Sequence, residues 1–241
     1  MIKKVLFIAS ILICSLAHSP ADAFDDYKNE SAKPAITSAR NIAMIFHKLS
    51  GEMPDFYKIA KDSTEYKNAE PMQKASVLNS QVDELKSIYN LISLQEPIVV
   101  EVPVKLSKYS YSNKGFFVEN FKERTFFSKK HGTTNYAMIP GGLMDKQWLS
   151  VENEKLALQI EEVNKKYRQS PLTMMLYLAP TYSDSSKQTK IGKKDYWLIA
   201  TDVKDVSLYL PKASFPIWES INLKTDDSNN KRLQELRNLR Q

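Results

Sequence analysis

Cysteine, glycine and histidine are scarce in this 241-residue chain, and their scarcity excludes several chemistries. Cys14 is the single cysteine, and there are six glycines and three histidines. Since Cys14 lies in a segment that we expect to be cleaved, thiol catalysis, disulfide exchange and cysteine-bound zinc are excluded for the mature protein. The His-Glu-x-x-His, Gly-x-Ser-x-Gly and Walker patterns are also missing. We therefore predict no cofactor and no metal site.

The N-terminal segment has the three parts of a secretory signal peptide. Two lysines precede the apolar run Val5–Leu16, and small residues occupy the −3 and −1 positions of a cut between Ala23 and Phe24. The run is too short to cross a bilayer comfortably, because a spanning helix needs about 20 apolar residues. The pattern predicts that residues 1–23 are removed on export and that the mature protein is soluble.

The compartment follows from this signal and from its cysteine. A lipid-modified cysteine requires a small residue directly before it, whereas the bulky Ile13 precedes Cys14. We therefore expect no lipid anchor, and no later stretch is apolar enough for a transmembrane helix. The protein is predicted to be periplasmic or secreted, and the cysteine-free mature chain favours a bacterial periplasm over a eukaryotic extracellular space.

Residues 24–95 are predicted to form a helical region. Apolar residues spaced by three and four indicate a helix that begins at Thr37 or Ser38 and ends near Leu49. A less regular helix is expected over 55–66 and a longer one over 72–93. We expect the first and third helices to pack as an antiparallel hairpin.

Residues 96–219 are predicted to form a largely antiparallel sheet with one packed helix. Alternation over 98–106 indicates a half-buried strand, and Pro103 makes it an edge strand or a bulged one. The helix is expected to begin at Ser150 and to reach Arg168. Further strands are expected over 116–121, 125–128, 135–139, 172–179, 196–201 and 206–210, with a turn over 201–205. With a polar, partly helical tail over 220–241, the predicted fold class is α+β.

Two histidines remain outside the signal. His47 falls within the first predicted helix, where a surface position is the expectation, and His131 belongs to the basic loop Lys129-Lys130-His131-Gly132. Neither has an orienting carboxylate close by in the sequence, so no catalytic residue is assigned. A serine or carboxylate site assembled from distant positions stays open, because such sites are recognised by geometry and not by order.

One stretch combines basic and aromatic residues. Between Lys105 and His131 there are seven lysines or arginines against two acids, interleaved with seven aromatic residues. Export argues against nucleic acid, which leaves anionic envelope polymers or sugars as ligands. Alternatively, the aromatics fill strands and the lysines protect a sheet edge. The candidate binding residues are Lys108, Tyr109, Tyr111, Arg124, Lys129, Lys130 and His131.

The sequence thus favours an exported, non-enzymatic protein that binds either another envelope protein or an anionic envelope polymer. The alternative is an envelope hydrolase with a dispersed carboxylate or serine site. Two structural observations would separate them. Convergence of His131 with an acid and a hydroxyl in one cleft would refute binding in favour of the hydrolase. If the aromatics between positions 105 and 131 all face inward, polymer binding loses its only support.

Overall fold

The computed structural model describes residues 33–166, 172–210 and 216–220. The predicted signal peptide, its Ala23–Phe24 cut and the tail beyond Ser220 lie outside these residues. Within them, helices and strands are combined in a mixed, mostly antiparallel sheet. The predicted α+β class is therefore confirmed. None of the helices in these three ranges is both long enough and apolar enough to span a membrane.

Four helices precede the first strand: α1 (Ala39–Ser50), α2 (Phe56–Lys61), α3 (Thr64–Asn68) and α4 (Lys74–Leu91). The Ser38 hydroxyl accepts a hydrogen bond from the Asn41 amide at 3.1 Å, and Gly51 ends α1 with a φ of 71°. The predicted cap and end of this helix are confirmed. The second predicted helix is instead divided into α2 and α3, because Ser63 caps a new helix by accepting from the Tyr66 amide.

The predicted antiparallel hairpin of the first and third helices is not supported. Arg40, early in α1, bonds to Glu84 in the middle of α4, and Lys48, late in α1, bonds to the Ile92 carbonyl just after α4. The two helices therefore advance in the same direction. This is possible because α2 and α3 return the chain between them, as the stacking of Phe56 in α2 on Tyr89 late in α4 indicates.

The main sheet has a central path of five strands in the order β1-β6-β8-β4-β3, with β7 and β9 also paired to β8. The edge position of β1 confirms the prediction from Pro103. β4 runs parallel to β8, and the other pairs are antiparallel. A separate small sheet joins β2 to β5. The strands are β1 (Ile98–Val104), β2 (Gly115–Phe117), β3 (Phe127–His131), β4 (Thr134–Gly141), β5 (Trp148–Ser150), β6 (Leu172–Ser183), β7 (Thr189–Ile191), β8 (Lys194–Tyr209) and β9 (Pro216–Glu219).

The predicted turn over 201–205 is wrong, because β8 continues through it. Val203 is buried and lies opposite Leu178, and the next partners along the strands are Asp205 and Tyr177. Lys204 is thus the extra residue of a β-bulge. A bulge shifts the pairing by one residue, and the strand continues beyond it. Residues 201–205 are polar apart from Val203, which is why their sequence resembles a turn. The burial of Val203 shows that they belong to a strand.

The helix between β5 and β6, α5 (Glu154–Lys166), begins later than predicted, and its predicted end at Arg168 lies outside the described residues. Ser150 pairs with Gly115 in the small sheet, so it cannot cap a helix. The Asn153 side chain does so instead, by accepting from the Leu156 amide at 3.1 Å. The pairing of Ser150 with Gly115 therefore explains why the helix does not begin at Ser150.

One hydrophobic core joins the helical region to the sheet. Ile42 and Phe46 of α1 and Ile160 of α5 belong to the same buried cluster as Leu176 and Leu208, which face one side of the sheet. The residues on either side of position 95 therefore share one core, although the change from helix to strand occurs there. Just before α1, the Thr37 amide donates to the Val99 carbonyl of β1 at 3.0 Å, and late in α1 the Phe46 ring contacts Tyr136 of β4 and Trp197 of β8.

Candidate ligand-binding clefts

His131 ends β3 at a point where the sheet meets the helices. The next residue, Gly132, has a φ of 58°, and a Cβ there would lie 2.8 Å from the Asp62 Cβ. Only glycine combines that conformation with so close an approach. The Thr133 hydroxyl then donates to the Asp62 carboxylate at 3.0 Å. These contacts fix His131 between two clefts, both of which it lines.

The first of these, the Arg40 cleft, lies between the starts of α1 and α3, the middle of α4 and the end of β3. Its volume is about 460 Å³, which is within the usual range of ligand sites. Arg40 is paired with Glu84, and Lys130 supplies a second positive charge. Its lining residues are Ser38, Arg40, Asn41, Ser63, Thr64, Glu65, Glu84, Ile88, Lys130, His131 and Gly132.

The second, the Trp197 cleft, lies between the end of α1, α2 and strands β4 and β8. Its volume is about 190 Å³. The Phe46 ring lies 5.3 Å from the Trp197 ring and 5.6 Å from the Tyr136 ring, so aromatic side chains from three elements meet at its wall. The lining residues are Phe46, His47, Glu52, Asp55, Lys58, Ile59, Asp62, His131, Thr134, Tyr136, Ser185 and Trp197.

Both histidines of the predicted mature chain line the Trp197 cleft, and each has a buried ring nitrogen without a hydrogen-bond partner: Nδ1 of His47 and Nε2 of His131. Burial lowers the pKa of His47, against the opposing effect of Glu52. Burial likewise lowers the pKa of His131, and the Arg40 charge adds to this, against Glu65 and Asp62. Both rings are therefore neutral at pH 7.

The polar groups beside the histidines keep their ordinary charge states. Burial acts to raise the pKa of Asp62, but hydrogen bonds from Thr133 and Lys67 outweigh it, so the pKa is lowered and the carboxylate is ionised. Burial raises the pKa of Tyr136 to about 12, so its phenol stays neutral. The Trp197 cleft therefore combines fixed negative charge with neutral aromatic and imidazole rings.

The structure divides the predicted binding residues into two groups. Lys108, Tyr109 and Tyr111 follow β1, whereas Lys129, Lys130 and His131 belong to β3, and these strands form opposite ends of the five-strand path. Arg124 is exposed in the segment before β3. The Tyr109 hydroxyl donates to the Val151 carbonyl at 2.9 Å, which anchors the first group near the start of α5. Of the seven residues, Lys130 and His131 line a cleft together.

Sequence reasoning missed the Trp148 face, which we define as Gly115, Phe117 and Trp148 on the small sheet. Phe117 and Trp148 are partners across the strands and remain 41% and 37% exposed. A Cβ on Gly115 would lie 2.8 Å from the Trp148 ring, so this glycine leaves room for the indole. The aromatic residues of the basic and aromatic stretch are therefore divided between core and solvent. Phe116 and Phe121 are buried, and Tyr111 and Phe117 are exposed.

The fold and clefts define an α+β protein in which helices cover one face of a mixed sheet and leave two clefts at their junction. No family model, curated protein or solved structure matches the chain. Among the described residues, no three histidine, cysteine or acidic side chains are placed to hold a metal ion.

Proposed function

We propose that the protein is exported to the cell envelope and binds another envelope protein there, without catalysing a reaction. The observation that carries this proposal is the position of His131, whose ring lines two clefts at once and has an unpartnered nitrogen. An unpaired buried polar atom costs about 1–3 kcal/mol, which a bound hydrogen-bonding group would recover. The larger cleft is also of the size that ligands occupy.

The charges of the clefts favour a protein over an anionic polymer. In the Arg40 cleft, Arg40 and Lys130 are balanced by Glu65 and Glu84. In the Trp197 cleft, three carboxylates face a single lysine. Neither cleft has the positive excess that attracts a polyanion. The separation of the basic residues onto two edges of the sheet also removes the continuous positive surface that such a polymer would follow.

Export belongs to the same proposal and depends on the sequence of residues 1–23. Its support is the order of two lysines, an apolar run and small residues before Phe24. A partner in the periplasm or at the cell surface is therefore the one to seek. Edman sequencing of the protein recovered from its own cells should begin at Phe24, and an intact Met1 terminus would refute cleavage.

The hydrolase is the second candidate, and one observation favours it. His131, Asp62 and Ser185 line the same cleft, which is the convergence of base, acid and hydroxyl that hydrolysis uses. However, the Asp62 carboxylate accepts from Thr133 and from Lys67 at 3.3 Å, and no described hydrogen bond joins it to a histidine. Without an acid that orients the imidazole, binding is the better supported function.

Site-specific photo-crosslinking tests the proposal. A benzophenone side chain at position 130, on the rim of the Arg40 cleft, should yield one discrete protein adduct in intact cells. The same group at position 111, near the opposite sheet edge, is the matched control and should not. Adducts from both positions, or from neither, would contradict binding at the clefts. Hydrolysis of peptidoglycan or peptide by the purified protein, abolished in His131→Gln, would establish the hydrolase instead.

A further inference from the structure

We propose that the Trp197 cleft receives the cationic head of a lysine or arginine side chain of the partner. This inference rests on the proposed function, because it assumes that the partner is a protein. It specifies what the partner must present: an alkylammonium or alkylguanidinium group at the end of an exposed chain.

The first argument is charge. Glu52, Asp55 and Asp62 line the cleft, and Lys58 is the one basic residue of the lining, since both histidines are neutral at pH 7. Asp62 already accepts from Thr133 and Lys67, and one oxygen of Asp55 accepts from the Lys58 amide at 3.0 Å. Among the described residues, no lysine or arginine forms an ion pair with Glu52 or Asp55. These two carboxylates therefore have capacity for an external cation.

The second argument is the aromatic wall. Trp197 is the partly exposed ring of this wall, and the buried Phe46 ring lies 5.3 Å from it and 5.6 Å from the buried Tyr136 ring. Aromatic faces attract ammonium and guanidinium groups, by about 0.5–2 kcal/mol per contact, with tryptophan the strongest. The same faces offer nothing comparable to a carboxylate or phosphate, which would in addition be repelled by the three acids.

The third argument is size. The cavity of about 190 Å³ is smaller than the roughly 300–1,000 Å³ of typical whole-ligand sites. It can hold the end of a chain and a few waters, each of which takes up about 30 Å³ in the liquid. A side-chain head therefore fits where a complete cofactor or sugar chain does not.

The fourth argument is hydrogen bonding. Nδ1 of His47 and Nε2 of His131 are buried without a hydrogen-bond partner, and burial lowers the pKa of both rings. A neutral imidazole has one acceptor nitrogen, and ammonium and guanidinium groups consist of N–H donors. The two histidines therefore add hydrogen-bond acceptors to the lining without adding positive charge.

Nuclear magnetic resonance of the protein, purified in its natural processed form, provides the test. The probes are n-butylguanidinium and n-butylammonium, with butyrate and n-butanol as the anionic and neutral controls. We expect the cations to shift the Trp197 indole and His47 ring resonances with a dissociation constant on the order of millimolar, as suits ligands of about five to eight heavy atoms. Glu52→Gln should weaken binding about threefold or more, a fold-change typical of one partly exposed charge contact.

Glu123→Gln is the matched control, because Glu123 is equally exposed but precedes β3 on another loop. It should leave binding unchanged. Equal shifts from butyrate, or no shift from either cation, would overturn the inference. An adduct at position 130 without cation binding would refute the cationic head alone. Cation binding without any adduct would refute the envelope-protein function, and with it the partner side chain as the occupant, but would leave the cleft as a site for cations.

Discussion

The Trp197 cleft and the Trp148 face both present aromatic side chains, but they are built in opposite ways. Phe46 in the cleft is 2% exposed and is surrounded by helix and sheet, whereas Phe117 on the face stands half in solvent on a three-residue strand. The cleft is bordered by histidines from α1 and β3 and by acids from the segments that flank α2, and Trp197 of β8 forms part of its wall. The comparison shows that aromatic composition alone does not distinguish the wall of a binding cleft from an exposed face. What distinguishes them is whether neighbouring helices and strands hold the rings in place.

The two phenylalanines provide the sharpest comparison. Phe46→Ala should lower the free energy of unfolding by about 3–5 kcal/mol, because it empties a buried site at the centre of the core. Phe117→Ala should lower it by less than about 1 kcal/mol, because half of the ring is already in water. Urea unfolding followed by circular dichroism measures both. Equal losses would show that the Trp148 face is as tightly supported as the cleft.

The second prediction concerns the glycine under the Trp148 ring. A Cβ on Gly115 would lie 2.3 Å from the Leu149 carbonyl oxygen, so Gly115→Ala must move β2 from β5. We expect a loss of about 1–3 kcal/mol, as for other overpacked sites, together with a red shift of tryptophan emission. Asn113→Ala, on the exposed turn before β2, is the control. If Gly115→Ala unfolds like the wild type with unchanged emission, the close stacking on Gly115 is incorrect.

The third prediction compares two serines. Ser38→Ala removes the cap of α1 at the rim of the Arg40 cleft and should cost about 1 kcal/mol, and Ser38→Asp should retain most of the stability. Ser112→Ala removes an exposed contact with Ser110 near the small sheet and should change stability by about 0.5 kcal/mol or less. Thermal unfolding measures both variants. A larger loss for Ser112→Ala than for Ser38→Ala would contradict the expectation that the rim of the Arg40 cleft is more firmly supported than the region around the small sheet.

The sequence predicted those parts of the fold that depend on neighbours in the chain. The cap at Ser38, the end of α1 at Gly51 and the edge position of β1 all follow from local chemistry, and the structure confirms them. The failures involve distant partners. Ser150 could not cap α5 because it pairs with Gly115, and its carbonyl accepts from the Trp218 indole at 2.8 Å. The spacing of residues along the sequence does not predict pairings between such distant partners.

The clefts show the same division. His131 was a candidate because of its basic loop, but the acids and hydroxyls around it come from α2, α3 and α4, which no local pattern relates to β3. His47 was expected on a helix surface because its own helix gives no other signal. Its burial comes from packing against the sheet, where Phe46 meets Tyr136 and Trp197. The adjacent Phe46 was the one available sign that this face of α1 is turned inward.

The last prediction, with the smallest expected effect, uses the histidines to distinguish the clefts from the Trp148 face by pH. Folding lowers both histidine pKa values below the ordinary 6.5, so the unfolded chain binds more protons as the pH falls through that value. The free energy of unfolding should therefore be at its full value above pH 6.5. It should decline as the pH falls from 6.5 toward the lowered pKa values of the two histidines. Burial is the main cause of both lowered pKa values. Glu52 opposes it at His47, whereas at His131 Arg40 adds to it and Glu65 and Asp62 oppose it.

Substitution of one histidine at a time identifies the source of this decline. His47→Gln and His131→Gln should each flatten the dependence of urea midpoints on pH between about 7 and 5, since each removes at most one proton from the difference between the states. Lys130→Gln changes a neighbouring residue but removes neither imidazole, so it should leave the slope intact. Retention of the full slope in the double histidine variant would place the pH sensitivity outside the clefts. A slope abolished by both changes would mark the junction of helices and sheet as the region where protons and stability are coupled.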